Sequence, residues 1–295
     1  MPLTMVRAKS AVPVAGVPLV LRLVRALADQ GVPAVVVNLH HRPDSITSVL
    51  GHGDSVGIPI RYSWETVLLG SGGGPRRARE LLGERFFILN GDTLVDVDLA
   101  ALHETHQRAA GLVTMAIADN PNPSRYGGLT VNDAGRVDGF VQPGQPSCHF
   151  VGVQLVESRV FDPLPANTPA TLLEDLYCPL LANAHGAIAT HRVSTRFREV
   201  GTASDYLQVS VEVARGEGRG DVSIGTRCQI DESAVLCRTV VWDDVTIEAE
   251  CQLTDCIVTD GVRVPARTIS ERMIITRVEQ GAKFTSLAPD GHNGG

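Results

Sequence analysis

A six-residue spacing of aliphatic side chains constrains this chain more than any other feature in it. Ile224, Ile230 and Leu236 lie six apart, as do Val241, Ile247 and Leu253, and then Val258 and Val264, with small or turn residues between them. An aliphatic anchor repeated at that interval is the mark of a parallel coil, in which each turn stacks its apolar side on the next. Residues 221–280 are therefore expected to form a short left-handed parallel β-helix of hexapeptide repeats. The period breaks at Cys237–Val240 and again at Asp255–Val258.

Upstream the pattern is different. Pro18–Gln30 presents Leu19, Leu21, Leu23, Val24 and Leu27 on one side and stops at Gly31, which predicts a helix. Pro33–Leu39, Ile58–Ser63 and Phe86–Leu89 read as short strands, the last buried on both faces. Helices are expected over 44–50 and 76–82, with a glycine-rich turn at Leu69–Pro75. Strands alternating with helices through residue 118 indicate βαβ units and a Rossmann-like, mostly parallel sheet. Tyr126–Phe140 is a hairpin turning at Asn132–Gly135. Phe150–Val156, Ile188–Arg192 and Phe197–Val200 are further strands, and Thr171–Ala184 and Ser204–Arg215 are helices. The opening decapeptide is irregular. The fold class is α/β, with a sheet domain at 1–215, a hinge at 216–220, the β-helix at 221–280 and a flexible tail at 281–295.

Composition narrows the function. A net charge of −7 over 295 residues argues against nucleic acid or an anionic membrane as the main partner. No apolar run is long enough to span a bilayer, and the first residues lack a secretory pattern. The six cysteines form no CxxC pair and are expected to be buried free thiols in a cytoplasmic setting.

Phe86–Leu89 breaks at Asn90-Gly91-Asp92. Ligands of open α/β sheets bind beyond the carboxyl ends of strands, where a carboxylate is well sited to hold a divalent cation against phosphate oxygens. The glycine run at 70–74 lets backbone N–H groups approach an anion at a helix N-terminus, but it is neither a Walker loop nor a GxGxxG fingerprint. By themselves Lys9 is a surface lysine and Glu199 the start of a turn with an N-cap.

In combination, RAKSAVPVAGVPL, LLGSGGG, LNGD, YGGL with GRVDGF, FVGVQLV, LLEDL and EVGTASDYL resemble the successive motifs of the sugar-1-phosphate nucleotidylyltransferases. The resemblance covers residues 2–215, and the repeat region resembles the β-helix many members carry. It implies a sheet of the nucleotide-diphospho-sugar transferase type and transfer of a nucleotidyl group from an NTP to a sugar 1-phosphate. It implies Mg²⁺ as cofactor, ligated by Asp92 and Glu199, the latter standing where the family usually has Asp. It implies that Lys9 offsets phosphate charge, although Ala8 and Ser10 replace the flanking prolines. Gly70, Ser71, Gly73, Asn90 and Gly91 would contact the nucleotide, and Gly127, Gly152 and Glu174 the sugar. A mannose-1-phosphate guanylyltransferase-like pair, GTP and mannose 1-phosphate, is the expected choice. The β-helix would serve a homo-oligomer.

Two departures set further expectations. Where the family has Glu-Lys-Pro after the hairpin, this chain has Val141-Gln142-Pro143. The chain also begins at what resembles the end of the family's phosphate loop, Pro2-Leu3-Thr4, so either the start lies upstream, the expected case, or the loop has been lost, and weak or no transfer is expected of these residues alone. The alternative is a non-catalytic NDP-sugar-binding regulatory subunit. A β-helix acyltransferase is disfavoured because residues 221–280 contain no His. His40 and His41 are expected to be structural.

Overall fold

The structure, a computed structural model, describes residues 2–184, 186–194, 197–279 and 281–287. In chain order its elements are β1 (Pro13–Val14), β2 (Val17–Pro18), α1 (Leu19–Asp29), β3 (Val35–Leu39), α2 (Asp44–Leu50), β4 (Ile60–Trp64) and α3 (Gly70–Ala78). They continue with β5 (Arg85–Leu89), β6 (Thr93–Leu94), α4 (Leu99–Ala109), β7 (Val113–Asp119), β8 (Gly128–Val131), β9 (Val137–Val141) and β10 (Cys148–Glu157). After α5 (Cys178–Asn183), β11 (Ile188–Arg192), β12 (Arg198–Glu199) and α6 (Ala203–Gly216), short strands occupy residues 223–286. The chain divides into two compact units: Ala26–His41 with Leu50–Phe197, the sheet unit, and Met1–Arg25 with Arg42–Val49 and Arg198–Gly295, the repeat unit.

The sheet unit has strand order β11-β7-β10-β8-β9, with β5 also pairing with β10. It is mixed. Strands β7 and β11 run parallel, as do β3 and β4 in a two-stranded sheet of their own. The expected parallel character stops at β10, which is antiparallel to both β5 and β7 because the β8–β9 hairpin turns the chain back. Alternation then sorts the side chains onto two faces. Val113, Met115 and Ile117 pack with Phe86, Phe161 and Ile188, while Ala116 and Ala118 pack with Leu102, Val151, Val153 and Leu155. Phe86 and Ile88 join the first cluster and Phe87 and Leu89 the second, so β5 has apolar neighbours on both faces as its sequence suggests.

In the repeat unit the hexad anchors fall into register. Ile224, Val241, Val258 and Ile275 are successive partners, as are Ile230, Ile247 and Val264, and Leu236 pairs with Leu253. One coil takes 17 residues, the separation at which Asp243 meets Thr226 and Asp260, so each coil has one corner a residue short of three hexads. That corner is the break seen in the period. Arg238 and Asp255 sit there with φ of 45° and 51°, and the Arg238 Nε donates to Asp255 Oδ1 at 2.6 Å. Residues 281–287 depart from the expected flexible tail: the strand Gly281–Ser286 pairs antiparallel with the strand Met273–Val278, and 288–295 lie outside the described residues.

Two smaller expectations change. All six cysteines are free, but only Cys251 and Cys256 are buried, and Cys178 and Cys237 are exposed. The glycine run is the start of α3 itself instead of a turn ahead of it. No helix among the described residues is long and apolar enough to cross a membrane.

A buried histidine gives the sheet unit a pH-dependent stability. His106 on α4 is 1% exposed, with Nδ1 2.8 Å from Thr114 Oγ1 and Nε2 3.1 Å from Glu157 Oε1. Burial pushes its pKa below the ordinary 6.5, against the opposing pull of Glu157. His149 and His191 are lowered by burial too. The unfolded chain thus binds these protons more tightly than the folded one. Their contribution is complete above roughly pH 6.5 and is lost as the pH falls below it. The urea midpoint is expected to drop between pH 7.5 and 5.5, and less steeply in His106→Gln. A slope unchanged by that substitution would show that His106 does not supply it.

Candidate active site

Polar residues gather at the carboxyl ends of β3, β4 and β5: Asn38, His40, Glu65 and Asp92. Chain leaving β4 meets Glu65, which is 6% exposed. Its Oε1 accepts from Asn38 Nδ2 at 2.7 Å, and its Oε2 accepts from the Leu69 N–H at 2.9 Å, the residue that opens α3. A carboxylate there neutralises the positive end of the helix and satisfies a donor the helix cannot use itself. His40, just past β3, lies with Nδ1 3.0 Å from the Glu65 carbonyl, a structural role as expected. Sequence reading missed Glu65 and Asn38. The available signal was an acidic residue four positions ahead of a helix N-terminus.

Most of the glycines in α3 serve packing. The N–H groups of Gly72 and Gly73 donate to the Ala170 carbonyl at 2.8 and 3.2 Å. A Cβ on Gly73 would sit 2.6 Å from the Thr168 carbonyl oxygen, and one on Gly72 would sit 2.9 Å from that of Thr171. Gly74 has the same relation to Glu65 Oε1 at 2.8 Å. The expected cradle therefore narrows. Gly73 has its donor engaged within the protein, whereas Gly70 and Ser71 are exposed at the first turn. Ser71 Oγ accepts from the Leu172 N–H at 3.0 Å, which brings this turn beside the Leu173–Tyr177 turn carrying exposed Glu174.

The second group forms around β5 and β10. Strand β10 has a register shift between Phe150 and Gln154, and within it Gly152 takes φ of 84°. Only glycine adopts that backbone without strain, and a Cβ there would also meet Asn90 Cβ at 3.1 Å. The Asn90 N–H donates to the Gly152 carbonyl at 2.8 Å. Asn90 and Gly152 are thus brought together, and Gly152 has a structural reason to be glycine besides any ligand. Asp92 follows, half-buried, with Thr93 Oγ1 donating to its Oδ1 at 3.3 Å. Gly127 lies against the Val141 carbonyl, where a Cβ would come to 2.8 Å, so its absent side chain serves the hairpin as well.

Lys9 and Glu199 belong to the repeat unit. Lys9 starts a short 3₁₀ turn, Lys9–Ala11. Glu199 ends β12, and the chain then enters α6 through a capping box in which Thr202 Oγ1 accepts from the Asp205 N–H and Asp205 Oδ2 accepts from the Thr202 N–H. Among the described residues no three His, Cys, Asp or Glu side chains are grouped to hold a metal. A Mg²⁺ bound mainly through substrate phosphates needs only one or two carboxylates, and the half-buried Asp92 carboxylate fits that demand.

Comparison with known proteins follows the same lines. The chain is 27% identical over 284 residues to the mannose-1-phosphate guanylyltransferase of Mycobacterium tuberculosis, covering 92% of this chain and 79% of that protein. It is 26% identical over 314 residues to mannose-1-phosphate guanylyltransferase 1 of Arabidopsis thaliana, covering 97% and 86%. The crystal structure of HddC from Yersinia pseudotuberculosis superposes with a TM-score of 0.62 at 22% identity, over 70% of this chain and 90% of that one, which shows a shared fold. Residues 1–216 match the family model described as nucleotidyl transferase, and with the strand-end carboxylate and the glycine-rich helix start in place, this chain belongs to the nucleotidyl transferase family.

Proposed function

We propose that the chain transfers a nucleotidyl group from an NTP to a sugar 1-phosphate, giving an NDP-sugar and pyrophosphate, with GTP and mannose 1-phosphate as the pair. The single observation that carries this reading is Asp92 at the carboxyl end of β5, on a turn held to the Gly152 bulge through Asn90. The named activities of the Mycobacterium and Arabidopsis relatives support the choice of substrates.

The sugar-phosphate oxygen bonds to the α-phosphorus in line as the bond to the β-phosphate breaks and pyrophosphate leaves. Positioning and charge neutralisation are what such a reaction asks of a protein. Asp92 and Glu199 would hold Mg²⁺, which when bound neutralises charge on the phosphates. Lys9 adds a positive charge for the same phosphates. The exposed first turn of α3 at Gly70 and Ser71 offers backbone donors to the nucleotide. Glu174, exposed on the adjoining turn, would accept from sugar hydroxyls.

A pyrophosphate-release assay with Mg²⁺, each of the four NTPs and a panel of sugar 1-phosphates tests this. GDP-mannose formation that is abolished by EDTA and restored by Mg²⁺ is the expected result. Tight NDP-sugar binding with no turnover for any pair would instead support a regulatory subunit, the reading favoured by Val141-Gln142-Pro143 in place of Glu-Lys-Pro.

A further inference from the structure

Two strands of the sheet unit each use only one of their edges. Among the described residues β3 pairs with β4 alone and β5 with β10 alone. The hydrogen bonds at the strand ends fix which backbone groups are left over. In a parallel pair every second residue of a strand bonds to the partner, and the residues between point away. The Val35 N–H donates to the Pro59 carbonyl at 3.0 Å, and the Leu39 carbonyl accepts from the Glu65 N–H at 2.7 Å. Val35, Val37 and Leu39 therefore face β4, and Val36 and Asn38 turn their backbone N–H and C=O groups the other way. In the antiparallel pair the Asn90 N–H donates to the Gly152 carbonyl at 2.8 Å, and the Ser158 N–H donates to the Glu84 carbonyl at 2.6 Å. Phe86 and Ile88 thus bond to β10, while Arg85, Phe87 and Leu89 present their backbone groups to the far edge of β5.

The two open edges share their surroundings. Val35 of β3 and Phe87 and Leu89 of β5 pack against one apolar cluster, together with Leu27 and Val32. On the other face α3 leads from one strand to the other. A Cβ on Gly74 would lie 3.0 Å from Asn38 Nδ2, and the Gly72 N–H donates to the carbonyl of Ala170, which packs with Phe86 and Ile88. Yet among the described residues no ladder joins β3 to β5. Strands covered on both faces are normally buried along their length. Here Val35, Val36, Val37, Phe87, Ile88 and Leu89 are all only half-buried.

We propose that β3 and β5 border a slot one strand wide, which takes an extended apolar segment of another polypeptide, hydrogen-bonded along both edges. The segment matches the five residues of each bordering strand. Backbone pairing supplies the affinity, and the apolar lining of both faces selects β-branched and aliphatic side chains over charged ones. Such an occupant has to be free on both of its own edges. Every named strand of this chain already has a partner, so a second copy could cover one open edge and not both. The longest stretch outside the described residues, 288–295, holds Pro289 and three glycines and no β-branched residue, which is not the composition of a central strand. An unpaired segment of a different chain meets the requirement. Strand capture of this kind is independent of nucleotidyl transfer.

The test uses the full chain and a soluble probe, the peptide acetyl-Lys-Lys-Thr-Val-Ile-Val-Thr-Lys-Lys-amide, with two analogues. One analogue is N-methylated at Ile and the other at both Val residues, so each loses donors along one edge only. Amide hydrogen exchange is read residue by residue by NMR, and Kd is measured by calorimetry. The unmodified peptide should slow exchange by about tenfold or more at Val36, Asn38, Phe87 and Leu89, while Val35, Val37, Phe86 and Ile88 change less than about twofold. Both analogues should bind about tenfold or more weakly, the value of at least one lost hydrogen bond. Val36→Pro removes a donor from the open edge of β3 and none from its ladder with β4. It should weaken peptide binding by about tenfold while the Val35 and Val37 amides keep their protection. Full binding by either analogue would mean addition to a single strand and would overturn the slot. Protection of the same four amides without peptide, rising with protein concentration, would overturn the proposed partner in favour of a second copy. Unchanged exchange at every peptide concentration would overturn the proposal outright.

Discussion

Asp92→Asn is expected to lower kcat/KM for nucleotidyl transfer by roughly 10²–10³-fold, the loss typical when one preorganised charge-stabilising group is removed from a reacting centre. The substitution keeps the shape of the side chain and leaves an oxygen for the Thr93 hydroxyl, which donates to Asp92 Oδ1 at 3.3 Å. It removes the charge and turns the other carboxylate oxygen into an amide donor. The loss should appear in turnover and in the Mg²⁺ concentration needed for half-maximal rate. Pyrophosphate release across a Mg²⁺ titration separates the two contributions. Activity within threefold of wild type at every Mg²⁺ concentration would mean that the carboxylate at the end of β5 is a turn residue and nothing more.

The second large effect is on stability. Glu65→Ala should destabilise the sheet unit by about 3 kcal/mol, since a charged hydrogen-bond partner in a buried site contributes on the order of 1.5–3 kcal/mol and its removal strands the donors it served. Glu65 is 6% exposed and holds two donors of different origin, the Asn38 side chain beyond β3 and the Leu69 N–H that opens α3. Without the carboxylate the helix start loses both an acceptor and a compensating charge. Gly74, whose Cβ would come within 2.8 Å of Glu65 Oε1, would face the space left behind. Glu65→Gln retains one acceptor at the same length and should cost about 1 kcal/mol. Urea unfolding followed by far-ultraviolet circular dichroism measures both variants. Equal midpoints for the alanine and glutamine variants would place the stabilisation in the carboxylate charge, because glutamine keeps the volume and one acceptor.

The hairpin and the β5 strand illustrate what local pattern can carry. Apolar residues on alternate sides of Phe86–Leu89 place that strand between two clusters, and Asn132–Gly135 turns the chain where its composition says it should. Pairing direction was not legible in the same way. The antiparallel position of β10 follows from which strands it meets, and period-two alternation looks identical in either direction. The glycine run shows a related limit. Glycines beside a helix start can open a path to a ligand or to another backbone, and the Ala170 carbonyl shows that Gly72 and Gly73 do the second.

From the residues in order, the chain was determined to be an α/β protein ending in a coil of hexads, because side-chain periodicity is a local property that survives whatever the chain does next. The 17-residue registry of Ile224, Val241 and Val258 is that periodicity made visible. Tertiary structure alone decided which charges meet. Arg7 reaches Asp243 and Asp260 across 236 and 253 residues, and Glu65 reaches back 27 residues to Asn38. No periodicity encodes such pairs. Electrostatic partners are chosen by proximity after folding, and proximity between distant segments exists only once the coils have stacked and the strand ends have come side by side.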